Sequence, residues 1–360
     1  MSSEPANFYS RTNTARKIIV VDLGFLGDSV HLIPALWELK RNYPQASLHT
    51  LSATVGAELL RLVPCVEKAW AFPLAAPSPP WWRHWGLLGS LRREGFHAAF
   101  NFSGADRTIF ITAFTGAKHR VAHAAGRKHF WQSWLIKDWV RRRPNTLPVY
   151  EQRREVLAAC GISLASSKWE LGIPDTIRAE VESLVPEDAI HCSINASTPL
   201  KEWPLEHWTE LARELLAADS NCHIIASGSR SPREQERLRA FAAAVNNSRL
   251  KLVPESCGIA QLAAALRLCR LHVGGDSGVL HLAMALGLPT VAIFRDYAGK
   301  DEWLPRGPEH RHVIAACPCA GLHGPPCLAQ NRARCLEQIA PAQVFALVRE
   351  LMHTPARANA

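Results

Sequence analysis

Short unbroken apolar runs alternate along the chain with longer stretches whose apolar positions recur every three or four residues. The first kind reads as strands buried on both faces, and the second as helices lying on them, which predicts parallel α/β sheets. Residues 17–23 (KIIVVDL) form the first such run, followed by a turn at 24–28 and an amphipathic helix at 29–41. Further strands are expected at 47–51 and 97–102, and four prolines in eight residues make 73–80 a loop. A second series opens with a strand at 189–195, a helix at 204–217 and a strand at 222–226. Helices at 232–244 and 258–268, a short strand at 271–273, a helix at 279–286 and a strand at 290–294 complete it. Between 164 and 186 the periodicity fades and two prolines occur. The pattern therefore predicts two doubly wound, Rossmann-like domains, 1–170 and 189–360, facing across a cleft and joined by a linker at 171–188. In such sheets ligands gather at the carboxyl ends of the strands.

Composition narrows the class only a little. Apolar residues make up 48% of the 360 and charged residues 20%, as in an ordinary globular protein. No run of eighteen apolar residues occurs, and the first seventeen residues are polar, so neither a membrane span nor a secretory signal is expected and a cytoplasmic location is. The net charge of +9 is unevenly placed. Between Arg83 and Arg154 stand fourteen Lys and Arg against four acids, a local balance of +10, so the rest is close to neutral. Six of the twelve tryptophans lie in or beside that window. Basic groups among indoles suit a surface that meets an anionic acceptor or lipid headgroups; a solvated basic face over a tryptophan-containing core gives the same pattern. Residues 129–143 read as a helix with aromatic bulk along one side and arginines at its end. Trp131 and Trp134 would either pack the core or touch headgroups. A nucleic-acid binder would also be basic, but no recognised module for that purpose is present.

Three segments carry candidate chemistry. Gly24-Phe25-Leu26-Gly27-Asp28-Ser29-Val30-His31 sits at a strand-to-helix corner, where glycines let the backbone turn and approach a ligand. Asp28 at that corner is either a helix N-cap or a general base for an attacking hydroxyl. Asn195 to Pro204 (NASTPLKEWP) follows the first strand of the second series and offers hydroxyls, free N–H groups and Lys201 to a diphosphate. Gly274 to Pro289 (GGDSGVLHLAMALGLP) joins close backbone approach to a helix N-terminus, which favours an anion. His281 is here either a satisfied first-turn histidine or part of that cradle. Ten cysteines include a late group, Cys317, Cys319, Cys327 and Cys335. One residue between the first two is short for structural zinc, so reduced thiols packing a loop are expected.

The block GDSGVLHLAMALGLPTVAIF (275–294) resembles the signature of glycosyltransferase family 9, the ADP-heptose:lipopolysaccharide heptosyltransferase family. LGDSVHLIPAL (26–36) resembles its N-terminal motif, and Lys201-Glu202-Trp203-Pro204 its phosphate loop. Glu302-Trp303-Leu304-Pro305, the late cysteines and Cys335-Leu336-Glu337-Gln338-Ile339 follow in the family's order, so the resemblance runs from about Lys17 to Leu351. It implies a GT-B fold and an inverting transfer of heptose from ADP-L-glycero-D-manno-heptose to an anionic glycolipid, the lipopolysaccharide inner core. By position Asp28 would be the base. Ser197, Thr198 and Lys201 would hold the diphosphate, and Asp276, Ser277, Gly278 and His281 would complete the donor pocket. Gly27 and Glu234 are further donor candidates, and Arg120 and Lys128 acceptor candidates. No metal and no cofactor beyond the sugar nucleotide are implied, and no Asp-x-Asp pair occurs in the chain. The expected partners are the donor, the glycolipid and the inner face of the inner membrane as a peripheral contact, with no nucleic acid.

Departures from the family pattern gather near the site. Asp22 stands where a basic residue is usual, and Arg295-Asp296 where a glycine is common. The carboxylate for the donor ribose falls on Arg230 without a gap, or on Glu234 with a shift. Another sugar nucleotide, a different acceptor, or an inactive relative are the alternatives these departures leave open.

Overall fold

The computed structural model describes residues 7–74, 81–124, 129–141, 147–317 and 325–353. The chain divides into two compact units, 1–172 and 173–360. Each is a six-stranded parallel sheet with helices around it.

The first sheet contains β1 (Lys17–Val21), β2 (Ser47–Ala53), β3 (Lys68–Phe72), β4 (Ala98–Asn101), β5 (His119–Ala124) and β6 (Asp138–Arg141). Their order is β3-β2-β1-β4-β5-β6. The second contains β7 (Ala189–Ser193), β8 (Ile224–Ala226), β9 (Leu250–Leu252), β10 (Cys269–Gly275), β11 (Thr290–Phe294) and β12 (His310–Ile314), in the order β12-β11-β10-β7-β8-β9. In both, the chain winds outward from the first strand one way and then the other. The winding reverses between β1 and β4 and between β7 and β10, and there the loops part to admit a ligand. Register places Val21 opposite Asn101 and Ser193 opposite Gly274, so the loops after those strands start side by side.

The continuous apolar runs follow from this burial. Ile18 to Val21 and all of β7 are covered on both faces. The helix Leu205–Ala218 is instead two-faced, burying Trp208, Leu211, Ala212, Leu215 and Leu216 at helical spacing against the second core.

Two expectations need correction. Residues 171–188 are not a bare linker: a helix at Asp175–Glu182 belongs to the second unit and packs on the helix Ile259–Leu268. Residues 129–143 are not one helix either. A single turn, Gln132–Leu135, ends where Ile136 turns extended (φ −124°, ψ 124°), and β6 follows. Burial of Ile136, Asp138, Trp139 and Val140 decides this, with Asp138 paired to Arg11 at 2.6 Å and Trp139 Nε1 donating to the Ile136 carbonyl at 2.9 Å. Aromatic spacing alone had suggested the longer helix; the strand buries a different set of residues. Arg142 and Arg143 lie outside the described residues.

Candidate active site

In the first unit the corner after β1 is held by two carboxylates and one arginine. Asp22, just past β1, accepts the Gly24 N–H at 3.0 Å. The helix Leu26–Asn42 then begins, three residues earlier than the pattern suggested, with Phe25 as N-cap and Asp28 at its third position. Asp28 Oδ2 accepts the Phe25 N–H at 2.9 Å. Asp28 thus caps the helix from inside rather than standing at the N-cap itself. Gly24 makes this possible, because a Cβ there would lie 2.4 Å from the Asp28 side chain. Gly27 is buried one position before Asp28 in the same turn.

Arg153 closes the group. It comes from the helix Val149–Ala159, whose buried Gln152, Arg153 and Arg154 face the helix Leu26–Asn42. Its Nη2 lies 2.6 Å from Asp22 Oδ2 and 3.4 Å from Asp28 Oδ1, and Nη1 donates to the Asp28 carbonyl. Arg154 makes a parallel link to Glu38 at 3.1 Å. Asp22 and Arg153 are buried, whereas the Asp28 side chain keeps 26% of its surface open. Burial raises the Asp28 carboxyl above the usual carboxylate range; the Arg153 guanidinium opposes this, and the Asp22 charge adds to it. A carboxylate raised in this way, partly open and at a strand end, has the character of a proton acceptor. The sequence had pointed to Asp28 but not to Arg153, whose signal was two adjacent arginines on the inner face of a helix.

In the second unit the loops after β7 and β10 meet. Trp203 is buried against Trp208, their ring centres 5.1 Å apart, and its indole N–H reaches the Ile339 carbonyl at 3.0 Å, which anchors the loop from below. Glu202 accepts the Ala196 N–H at 3.1 Å and binds Arg233 at 2.6 Å, closing the loop on itself. Thr198 Oγ1 accepts the Leu200 N–H at 3.0 Å and caps the short helix Pro199–Lys201, and Ser197 is exposed at the loop crest. Lys201 reaches across to Asp276, with Nζ 2.7 Å from Oδ2. Gly275 permits this approach, since a Cβ there would lie 3.2 Å from the Lys201 carbonyl oxygen. Asp276 also accepts from the Tyr297 hydroxyl at 3.1 Å.

Ser277 is the N-cap of the helix Gly278–Ala285, and its buried hydroxyl has no protein partner. The first turn, at Gly278, thus offers backbone N–H groups that the helix itself does not satisfy, two residues after the Asp276 that holds the lysine. His281 is buried against Trp303, and burial pushes its imidazole down to about 4, although Asp276 pulls the other way. It is therefore neutral near pH 7. Beneath the loops, His191 and His272 stack across β7 and β10 with their Nδ1 atoms 2.8 Å apart, and His191 Nε2 lies 2.8 Å from the Ser227 hydroxyl.

Lys201, Asp276, Ser277, Gly278 and His281 are thus gathered at the β7–β10 reversal. Glu234 lies in the first turn of the helix Pro232–Val245 that follows β8, and its Oε2 accepts the Ser229 N–H at 2.8 Å; Arg230 points elsewhere, to the carbonyls of Glu255 and Ser256. Tyr297 was not anticipated; Arg295, noted above as a departure from the family pattern, lies 5.2 Å from the Tyr297 ring, and its buried Nε has no hydrogen-bond partner. Of the acceptor candidates, Arg120 is half-buried and bonds the carbonyls of Leu135 and Ala117 at 2.7 and 2.6 Å, which makes it a strut between β5 and the following turn. Lys128 lies outside the described residues. Cys317, Cys327 and Cys335 form no disulfide, and Cys319 lies outside the described residues. Among the described residues, no three or more His, Cys, Asp or Glu are grouped to hold a metal ion.

Residues 84–329 match the family described as glycosyltransferase family 9 (heptosyltransferase). The chain belongs to glycosyltransferase family 9. The match takes in the whole second-unit cradle and starts beyond the Asp28 corner. Among relatives of this family 9 chain is lipopolysaccharide heptosyltransferase 2 of Salmonella typhimurium, 24% identical over 296 residues, or 77% of this chain and 82% of that protein. Two solved structures show the fold. ADP-heptose lps heptosyltransferase II of E. coli superposes with a TM-score of 0.72 at 19% identity, covering 93% of this chain and 98% of that one. The glycosyl transferase family 9 protein of Veillonella parvula gives 0.78 at 17% identity, covering 94% and 97%. The family 9 chain is a glycosyltransferase of GT-B architecture, built from the two Rossmann-like units described above.

Proposed function

We propose that this glycosyltransferase moves heptose from ADP-heptose to the inner core of lipopolysaccharide, with inversion at the anomeric carbon and without a divalent ion. The observation that carries the reading is the meeting of Lys201, Asp276 and the N-terminus of Gly278–Ala285 at the β7–β10 reversal. A nucleoside diphosphate leaving group needs its growing negative charge met, and an ammonium beside a helix N-terminus does that without metal. Relatives that carry the words heptosyltransferase and ADP-heptose in their names support the choice of sugar and nucleotide.

In this reading Asp28 takes the proton of the acceptor hydroxyl as its oxygen attacks the anomeric carbon from the face opposite the diphosphate. The bond from that carbon to the diphosphate oxygen breaks, its electron pair stays with ADP, and Lys201 holds the product. Asp276, fixed by Tyr297, aims Lys201. Neutral His281 contributes a hydrogen bond rather than a charge. The acceptor is an anionic glycolipid of the cytoplasmic leaflet, and the protein works there as a peripheral visitor.

The test is to incubate the pure protein with a panel of sugar nucleotides and core acceptors and follow released nucleoside diphosphate. ADP-heptose should be consumed only when a core acceptor is present, and the product should carry the inverted linkage. Preference for another sugar nucleotide, or for a non-lipid acceptor, would overturn the reading.

A further inference from the structure

The helix Asp106–Phe114 carries Phe110 and Phe114 one turn apart on its outer face, where 47% and 39% of each residue is exposed. At one end Trp85 meets Phe114 edge-on at 5.6 Å. At the other, Trp131 lies flat on Phe110 at 4.6 Å. Next to Trp131, Phe130 and Trp134 meet edge-on at 6.3 Å and are 78% and 79% exposed. Six rings thus form a row along the outside of the first unit. An aromatic side chain offers roughly 150–250 Å² of surface, so the row exceeds the scattered apolar exposure of an ordinary surface.

Charge tells what covers it. On the segments that carry the rings, exposed Arg107 lies one turn before Phe110, exposed Lys118 four residues after Phe114, and exposed Lys137 three residues after Trp134. The nearest acid of the helix, Asp106, accepts a hydrogen bond from Gln132 at 2.7 Å. A second copy docking symmetrically would bring the same cations against themselves. Rings that tolerate an interface, set among cations, fit an anionic bilayer surface. Among the described residues no helix is long and apolar enough to cross a membrane, so the contact lies in the plane of the headgroups.

We infer that the row from Trp85 to Trp134 is a lipid-docking surface, which seats its rings among phospholipid headgroups while the surrounding cations select an anionic leaflet. The inference rests on the reading that the acceptor is a membrane glycolipid, and it adds that the enzyme holds the bilayer itself, independently of acceptor.

The experiment is flotation of the full chain with phosphatidylcholine vesicles, with and without phosphatidylglycerol, in the absence of acceptor. Wild type should float only with the anionic vesicles, and added salt should release it. Phe130→Ser with Trp134→Ser, at positions exposed enough to spare the fold, should reduce binding at least about tenfold. Lys137→Glu should weaken it by about fivefold for each unit of charge changed. Both variants should keep wild-type ADP affinity and wild-type turnover on a short water-soluble core fragment. Failure of wild type to float, or equal flotation of the double variant, overturns the inference. So does concentration-dependent dimerisation that the double variant abolishes, which would make the row a protein interface. Flotation that persists in a protein inactive with ADP-heptose would overturn the proposed reaction and leave the docking surface standing.

Discussion

Arg153 and Asp22 act on the candidate base with opposite signs, so single substitutions should move its ionisation in opposite directions. Arg153→Gln removes the cation 3.4 Å from Asp28 Oδ1 and leaves the buried Asp22 without its partner at 2.6 Å. Two carboxylates then share a corner without a countercharge, and the Asp28 carboxyl rises further. Asp22→Asn removes an anion that raises Asp28 and keeps the cation that lowers it, so the carboxyl falls. An arginine beside an aspartate shifts it by about one to three pH units. The lower end applies here, because Asp28 is a quarter open to water. A general base must be ionised, so activity is lost as pH falls through its pKa. The acid limb of kcat/KM should therefore move up by about one unit in Arg153→Gln and down in Asp22→Asn. Stability responds separately. Breaking a buried pair by removing one partner costs about 3–5 kcal/mol, which for a domain of this size lowers Tm by roughly 6–20 °C. The assay is ADP release against pH at a temperature where both variants are folded, with Tm measured in parallel. If Tm falls but the acid limb of both variants stays in place, or moves the same way in both, Arg153 only holds two helices together.

Three further outcomes test the site. Asp28→Asn keeps an acceptor for the Phe25 N–H, so the fold should survive while kcat drops about 100- to 10,000-fold; retention of more than a third of kcat would reduce Asp28 to a helix cap. Lys201→Ala loses a charge-assisted contact typically worth ~1.5–3 kcal/mol, so calorimetry should show ADP bound roughly 10- to 150-fold more weakly, and equal affinity would remove Lys201 from the donor site. Turnover should persist in excess EDTA; a complete loss restored by magnesium would contradict the metal-independent mechanism.

The sheets were readable because parallel strands are buried on both faces and leave unbroken apolar runs. Residues 290–294 were located to the residue, and the three segments singled out as candidates do follow β1, β7 and β10. The third segment was readable as a strand end and helix start because glycines at 274, 275 and 278 are followed by a run of small and apolar residues. Edge strands were not. The run 68–72 (KAWAF) and the strand 138–141 (DWVR) carry charged or polar residues that burial and pairing absorb, as Arg11 does for Asp138. Nor was Arg153, because no local rule links residue 22 to residue 153. Its role depends on two helices packing face to face.

The Asp22–Arg153 pair also constrains how this sequence can drift. A basic residue at 22, the form usual in the family pattern, would meet Arg153 as a second buried cation; loss of Arg153 first would strand Asp22. Either single step crosses a stability deficit of about 3–5 kcal/mol, comparable with much of a domain's total. The two positions therefore exchange together or not at all. Column-by-column comparison would score Asp22 as a damaged site, although a guanidinium 131 positions along the chain answers its carboxylate at the same corner.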